Sequence, residues 1–181
     1  PNTEAKIVCT HTGRVLGPNE PGELWVRGRQ VMKGYLNRPD ATSATLTHDG
    51  FLRTGDVAKF DEDGYFSILD RVKELIKYKG HQVAPAELEA LLLRHHDIVD
   101  AAVVPSVDAD GEEIPKAFVV RKPHSPVTEA AVMAFVAEHV APYKRVRAVQ
   151  FIEQVPKSPA GKILRRVLVA QDRAKHTNPL G

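Results

Sequence analysis

The chain has 181 residues, of which 43% are hydrophobic, so it is long enough for one ordinary domain or two small domains with packed cores. Its 25 Lys and Arg residues nearly balance its 23 Asp and Glu residues, which argues against nucleic-acid binding or anionic-membrane binding driven by bulk charge. The single cysteine, Cys9, cannot form an intrachain disulfide, and no apolar run approaches the roughly 20 residues that span a bilayer. We therefore expect a cytoplasmic protein with no transmembrane segment.

The first part of the chain, to about Asp70, is predicted to consist mainly of strands and turns. A short helix is predicted over 39–46, because Pro39 suits the first turn of a helix. Gly64 closes a turn-forming segment at 61–64, which predicts a hairpin. The strands are predicted over 5–8, 22–28, 51–54, 57–60 and 65–69.

After Asp70 the pattern changes to alternating strands and helices. Apolar residues at helical spacing predict a second amphipathic helix that ends near Val140 and has Thr128 as its N-cap. This alternation predicts a small α+β domain from about Arg71 onward. The strands are predicted over 74–78, 99–104, 117–120 and 146–152, and the other helices over 85–94 and, as a basic helix, 162–171.

Three segments carry most of the functional information. The first contains Gly-Glu-Leu at 22–24, then Gly-Tyr-Leu-Asn-Arg-Pro at 34–39 and a threonine at 42. The second contains Phe-Leu-Arg-Thr-Gly-Asp at 51–56 and Asp-Arg-Val-Lys-Glu-Leu-Ile-Lys-Tyr-Lys-Gly-His-Gln-Val at 70–83. The third is Pro-Lys-Ser-Pro-Ala-Gly-Lys-Ile-Leu-Arg at 156–165.

Together these segments resemble the adenylate-forming superfamily, and within it the 4-coumarate and fatty acyl-CoA ligases. The resemblance runs from about residue 22 to residue 166, with several motifs in the same order and spacing. It implies an α+β fold in which residues 1–70 are the last, strand-rich subdomain of a truncated N-terminal adenylation domain. Residues 71–181 then form the small, mobile C-terminal lid domain.

The resemblance assigns nucleotide contacts to Asp56 and Arg71. A carboxylate such as Asp56 offers acceptors for both hydroxyls of a ribose, and the resemblance implies that it binds the ribose of ATP. Arg71 is implied to contact the nucleotide too. The alternatives are a turn aspartate that caps backbone amides, and a surface ion pair of Arg71 with Asp70 or Glu74.

The resemblance also assigns roles to residues 73–82 in the rotation of the C-terminal domain between the two half-reactions and in the second of them. Lys73 falls at the hinge of the family, where backbone freedom matters more than side-chain chemistry. Period-two spacing predicts that Lys77 and Lys79 point the same way from a strand. The resemblance implies that Lys77 meets the adenylate and that Lys79, Gly80 and Gln82 bind coenzyme A. The alternative is a solvated edge strand whose lysines deter aggregation.

Lys162 is the predicted catalytic residue. In the family, this lysine enters the active site for adenylation, and its ammonium offsets the repulsion between a carboxylate and the α-phosphate. The alternative is an exposed loop lysine. The same segment is not a phosphate-binding P-loop, because Ile163 replaces the Ser or Thr that would hold magnesium.

No protein metal site is predicted, because His95 and His96 show no third ligand at useful spacing. A basic group at Lys144, Arg145 and Arg147 is predicted to be a solvated face, with phosphate contact as the alternative.

The predicted reaction uses a small carboxylic acid, ATP, Mg²⁺ and coenzyme A, and forms an acyl-adenylate before the thioester. The start at Pro1 lacks an initiator Met, and we expect the phosphate loop and the acyl pocket to lie upstream, in an N-terminal domain of the same chain. The fragment alone is therefore predicted to be inactive. The alternatives are an adenylating enzyme that loads a carrier protein and a non-catalytic interaction module.

Overall fold

The computed structural model describes residues 2–177, and for residues 175–177 it describes the backbone alone. The chain forms two compact units, one that runs to Lys73 and one that begins at Glu74. The boundary predicted from the sequence, between residues 70 and 71, lies three residues earlier. The predicted second domain extends to residue 181, and its last four residues, 178–181, lie outside the described residues. No helix in residues 2–177 is long and apolar enough to cross a membrane.

The first unit is built on one antiparallel sheet with the strands in chain order. Its elements are β1 (Thr3–Val8), β2 (Gly22–Gly28), α1 (Pro39–Thr45), β3 (Leu52–Phe60) and β4 (Phe66–Arg71). The two strands predicted at 51–54 and 57–60 are one strand, β3, because a bulge absorbs the irregular segment between them instead of ending it. The predicted hairpin turn is confirmed: Gly64 has φ 85° and donates its N–H to Asp61 O.

Over its described residues, the second unit combines a two-stranded hairpin, a three-stranded sheet and three α-helices. Its elements are β5 (Ile76–Tyr78), β6 (His81–Val83), α2 (Pro85–Leu92), β7 (Ile98–Val107), β8 (Glu113–Arg121), α3 (Glu129–His139), β9 (Ala148–Phe151) and α4 (Arg165–Thr177). A short 3-10 helix, Val72–Glu74, leads into it, and another, Pro142–Lys144, precedes β9. The predicted α+β class is confirmed.

The three-stranded sheet is buried on both faces, which explains the uninterrupted apolar run in β7. Ala101 and Val103 face a core shared with α2, α3 and the hairpin, whereas Ala102 and Val104 face a smaller core that contains Leu168 of α4. The strands β8 and β9 are parallel, so α3 serves as the crossover between them. The predicted cap of α3 is confirmed, because the Thr128 side chain accepts the Ala131 N–H.

Two predicted elements of the second unit have wrong bounds at functional positions. The last helix begins at Arg165 and not at Lys162, because residues 156–164 form a hairpin loop first. The strand predicted at 74–78 begins only at Ile76, because Glu74 belongs to the preceding 3-10 helix.

Candidate functional site

Asp56 lies directly after a backbone bulge that two neighbouring side chains hold in place. Thr54 donates its hydroxyl to Leu24 O at 2.9 Å and accepts the Asp56 N–H at 3.0 Å. The Glu23 carboxylate accepts the Gly55 N–H at 3.1 Å. Gly55 has φ 72°, a left-handed conformation that glycine adopts without steric cost. The bulge therefore fixes the backbone from which the Asp56 carboxylate projects.

Asp56 and Arg71 meet across strands β3 and β4. They are register partners, and Arg71 Nε lies 2.9 Å from Asp56 Oδ1. The ion-pair alternative for Arg71 did not include Asp56, which the antiparallel register places opposite Arg71. The structure thus brings the two residues predicted to bind the nucleotide into direct contact.

An open cleft of about 630 Å³ within the first unit has Arg71 in its lining. Arg71 and Lys73 line it together with Arg53, Tyr35 and the backbone at Gly55. The Glu23 carboxylate lines the cleft as well, so the three cations give the lining a net positive charge, which suits an anionic ligand. Arg53 and Tyr35 belong to the segments 51–56 and 34–39 that carry the family resemblance, but no role was predicted for them. Their place in the cleft depends on the sheet and on the segment before α1.

The hairpin of β5 and β6 places the predicted coenzyme A residues at a tight turn. Lys79 and Gly80 have φ 46° and 79°, so they are the two central residues of a turn that needs positive φ at both positions. The prediction that Lys77 and Lys79 point the same way from a strand is wrong, because the strand ends at Tyr78. Lys77 instead pairs across the hairpin with Gln82, so these two share a face.

Aromatic contacts support this hairpin from one side. His81 stacks on Tyr143 with ring centroids 4.4 Å apart, and the Arg147 guanidinium lies 4.8 Å from the centre of the Tyr78 ring. Lys144 donates to both oxygens of Glu87 at 2.7 Å. Two members of the basic group predicted to be solvated therefore have specific partners, which the sequence could not show because Glu87 and Tyr78 are distant in the chain.

Lys162 lies in a tight hairpin loop, where its side chain is exposed. Gly161 has φ 79° and donates its N–H to Ser158 O at 2.8 Å, and the Ser158 N–H is donated to Lys162 O at 2.8 Å. This pattern is a three-residue hairpin loop whose last residue is a left-handed glycine. No ion pair or hydrogen bond holds the Lys162 ammonium among the described residues, so it is available to an external anion.

The ends of the Lys162 loop are fixed to the body of the second unit. Lys157 forms an ion pair with Asp100 at 2.6 Å, and Leu164 donates its N–H to Pro156 O at 2.8 Å. An isolated bridge pairs Lys157 with Ile163. The loop therefore presents Lys162, the predicted catalytic residue, from a defined backbone.

Contrary to the sequence analysis, His95 and His96 do have a third group at ligand spacing. One ligand atom each of His95, His96 and Asp97 lies within 4.8 Å of the others. Hydrogen bonding already occupies these groups: His96 Nε2 lies 2.9 Å from Asp97 Oδ2, and His95 Nδ1 accepts the Asp97 N–H at 3.2 Å. The turn after α2 explains the cluster without a bound ion.

Family models match two separate parts of the chain. One, described as the AMP-binding enzyme family, matches residues 1–36, and another, described as the AMP-binding enzyme C-terminal domain, matches residues 87–162. The second match ends at the predicted catalytic lysine, Lys162.

Curated relatives match along nearly all of this chain. 4-Coumarate–CoA ligase-like 6 of Oryza sativa subsp. japonica is 60% identical over 174 residues, which are 96% of this chain and 29% of the relative. Peroxisomal OPC-8:0-CoA ligase 1 of Arabidopsis thaliana is 55% identical over 92% of this chain and 30% of its own length. This chain thus spans less than a third of the length of these relatives.

Solved structures share the fold. ATP-bound MatB from Rhodopseudomonas palustris has a TM-score of 0.86 at 33% identity, over 94% of this chain and 34% of that chain. O-succinylbenzoate CoA synthetase (MenE) from Bacillus subtilis, in complex with AMP, has a TM-score of 0.76 at 34% identity, over 92% of this chain and 33% of that chain. The two family models together match more than half of this chain, and the chain belongs to the adenylate-forming family of AMP-binding enzymes.

Proposed function

We propose that this chain is part of an ATP-dependent acyl-CoA ligase, which converts a carboxylic acid, ATP and coenzyme A into acyl-CoA, AMP and pyrophosphate. The observation that carries the proposal is the exposed ammonium of Lys162 on a fixed hairpin loop. The names of the relatives, which are CoA ligases, support the choice of coenzyme A as the acceptor.

In the first step, an oxygen of the acid carboxylate attacks the α-phosphorus of ATP, the bond to pyrophosphate breaks, and the acyl-adenylate forms. Both reactants are anions, so a cation between them stabilises the transition state more than the separated reactants. Lys162 supplies this cation. Asp56 accepts hydrogen bonds from the ribose hydroxyls. Arg71, which pairs with Asp56, contributes positive charge next to the nucleotide. Mg²⁺ enters with ATP as part of the substrate.

In the second step, the thiolate of coenzyme A attacks the acyl carbonyl, the bond to AMP breaks, and AMP leaves. We propose that the second unit rotates about Lys73 between the steps, which withdraws Lys162 and presents the turn at Lys79 and Gly80. Gly80 leaves room for the ligand, because no heavy atom lies within 4 Å of the position that a Cβ would take. The two steps thus use different residues of the second unit in turn.

The upstream part of the full-length enzyme is proposed to supply the acid pocket and most of the ATP phosphate contacts. The 181-residue chain is accordingly expected to release no pyrophosphate from ATP in the presence of a carboxylic acid. We also propose a cytoplasmic location, on the basis of cysteine content. One relative is named peroxisomal, and imaging of the tagged full-length protein separates the two compartments.

The test is a comparison of half-reactions in the full-length enzyme. Lys162→Ala should lower the rate of acyl-adenylate formation by about 100- to 1000-fold, the usual cost of losing one group that stabilises charge in the transition state. Thioester formation from supplied acyl-adenylate should be unchanged. Pyrophosphate release and thioester formation are measured separately, with 4-coumarate among the acids tested.

Lys122→Ala is the matched control, because Lys122 is an exposed lysine of the same unit outside the proposed site. It should leave both half-reactions intact. Equal losses in the two half-reactions of the Lys162 variant would contradict the proposed division of labour. Thioester formation on a carrier protein and not on free coenzyme A would instead assign the enzyme to the carrier-loading class.

A further inference from the structure

Arg165 is the first residue of α4 and lies three residues after Lys162. It donates one hydrogen bond from Nη1 to Glu74 at 2.8 Å and another from Nη2 to Glu89 at 2.7 Å. The three side chains are largely shielded from water, with exposed fractions of 16% for Arg165, 20% for Glu74 and 10% for Glu89. A planar guanidinium that binds two carboxylates on separate nitrogens fixes their relative positions closely.

Each carboxylate connects Arg165 to a different part of the second unit. Glu89 lies in α2, and its other oxygen accepts the Val103 N–H of β7 at 2.8 Å. This bond ties the start of α4 to the sheet. Glu74 is the first residue of the second unit and directly follows Lys73. Arg165 therefore joins the residue next to the proposed hinge, the base of the Lys162 loop and the sheet in one network.

The network has a mechanical consequence for the proposed rotation. Backbone rotation at Lys73 changes the direction in which the chain leaves the hinge, and Glu74 is the first side chain to move with it. If Glu74 were free, the 3-10 helix could bend without moving α4. Because Glu74 is bound to Arg165, and Arg165 to Glu89, rotation at the hinge carries the Lys162 loop along with the rest of the unit.

We propose that Arg165 and Glu74 are positioning residues that couple the hinge to the catalytic lysine, a role that rests on the proposed function of Lys162. Neither side chain contacts the reacting groups in this role. Both act by keeping Lys162 at a fixed place relative to the hinge when the second unit closes for adenylation. Small misplacements of a catalytic group have large effects on rate, so a loosened link should slow this step specifically.

Glu74→Gln is the sharpest variant, because it weakens the link on the hinge side and leaves Arg165 bound to Glu89 and the sheet. In the full-length enzyme it should lower the rate of adenylation by about 10- to 100-fold, the order of loss caused by misplacing a reacting group by about 1 Å. Thioester formation from supplied acyl-adenylate and the thermal midpoint should stay close to those of the unaltered enzyme. Glu4→Gln, which weakens the Arg27 ion pair of the first unit, is the matched control and should change neither half-reaction.

A double variant separates positioning from a general structural role. If Glu74 acts through Lys162, then Glu74→Gln should cause no further loss of adenylation in a Lys162→Ala background. A loss that multiplies with that of Lys162→Ala would overturn the proposal, and so would adenylation unaffected by Glu74→Gln alone. An equal loss of both half-reactions would overturn it as well. If Lys162→Ala itself leaves adenylation intact, the proposed function fails instead, so the two failures are distinguishable.

A second measurement needs no catalysis. In the 181-residue chain, Glu74→Gln should speed amide hydrogen exchange in the Lys162 loop, at Ser158, Gly161 and Lys162, while the amides of β7 and β8 keep their protection. Glu4→Gln should leave the loop amides unchanged. Equal exchange in the Glu74 variant and the unaltered chain would show that the network does not hold the loop, and this result would also overturn the proposal.

Discussion

Asp56 and Lys162 are both predicted to act on the nucleotide, yet their surroundings differ in kind. Asp56 follows a bulge fixed by Thr54 and Glu23, and its carboxylate already binds Arg71. Lys162 lies on a fixed loop, but no described group pairs with its ammonium. The comparison shows that two predicted site residues can differ in their need for support: the Asp56 carboxylate is held by an ion pair, whereas the Lys162 ammonium has only its backbone fixed.

The largest effect expected from the Asp56 side of this comparison is on nucleotide affinity. In the full-length enzyme, Asp56→Ala should weaken AMP binding by about 10- to 100-fold, because hydrogen bonds to a charged group contribute about 1.5–3 kcal/mol. Calorimetric titration with AMP measures this. Both half-reactions should suffer, in contrast to the selective effect of Lys162→Ala. A variant with unchanged AMP affinity would show that Asp56 does not bind the nucleotide and that its ion pair with Arg71 only joins β3 to β4.

The support beneath Asp56 is tested by Thr54→Val. This change removes the hydroxyl that bonds to Leu24 O and Asp56 N, so two partly buried backbone groups lose their partner. The first unit should lose about 1–3 kcal/mol of stability, the cost of unsatisfied polar groups. Urea unfolding followed by Trp25 fluorescence reports on this unit, because Trp25 is the only tryptophan.

Thr45→Val is the control for the Thr54 variant, since the Thr45 hydroxyl makes no hydrogen bond among the described residues. Equal unfolding midpoints for the two variants would mean that the bulge does not depend on Thr54.

The backbone of the Lys162 loop is tested by Gly161→Ala. Nothing lies within 4 Å of the added Cβ, so the cost should come from the left-handed conformation alone, about 1–2 kcal/mol. Gly161→Asn should cost less, because asparagine tolerates this conformation. Thermal unfolding of the 181-residue chain measures both variants. An alanine variant as stable as the unaltered chain would show that the turn can relax without penalty.

The smallest effect concerns an exposed ion pair of the first unit, which contrasts with the pair at Asp56. The Arg27 guanidinium binds both oxygens of Glu4, at 2.6 and 3.1 Å, and this hydrogen bonding lowers the pKa of Glu4 below its ordinary value of 4.5. Because the pKa of Glu4 is lower in the folded state than in the unfolded state, the Glu4–Arg27 pair stabilises the fold fully at pH values above the unfolded pKa of Glu4. That contribution is lost as the pH falls through the folded value.

An NMR titration of Glu4 checks this prediction. Arg27→Gln should move the pKa of Glu4 back toward its ordinary value and reduce the dependence of stability on pH in the acidic range. Because the pair is exposed, the change in stability should be small. An unshifted pKa in the unaltered chain would contradict the prediction.

The sequence predicted most elements because local signals specify them. Pro39 and Pro85 open their helices, Thr128 caps α3, and the run from Ala101 to Val104 identifies a strand buried on both faces. The prediction failed where a local pattern was compatible with two backbone conformations. The alternation at Lys77 and Lys79 fits a continuing strand, but Gly80 allows a tight turn instead, and a turn lets the strand pair with β6. The helix predicted from Lys162 starts later, because hydrogen bonds of Ser158 with Gly161 and Lys162 close a hairpin loop first.

Sequence alone determined the class of fold, the family resemblance and the identity of Asp56, Arg71 and Lys162 as candidate site residues. The fold class follows from the alternation of predicted strands and helices, and the candidate residues follow from the resemblance of their motifs to the family. The chain carries both signals whether or not it is folded. Tertiary structure decided which charges meet. Asp56 opposite Arg71, and Arg165 between Glu74 and Glu89, are contacts across 15 to 91 positions of the chain. Such pairs depend on strand register and helix packing, because many arrangements of the same charges satisfy the local rules and only burial in one packed unit selects among them.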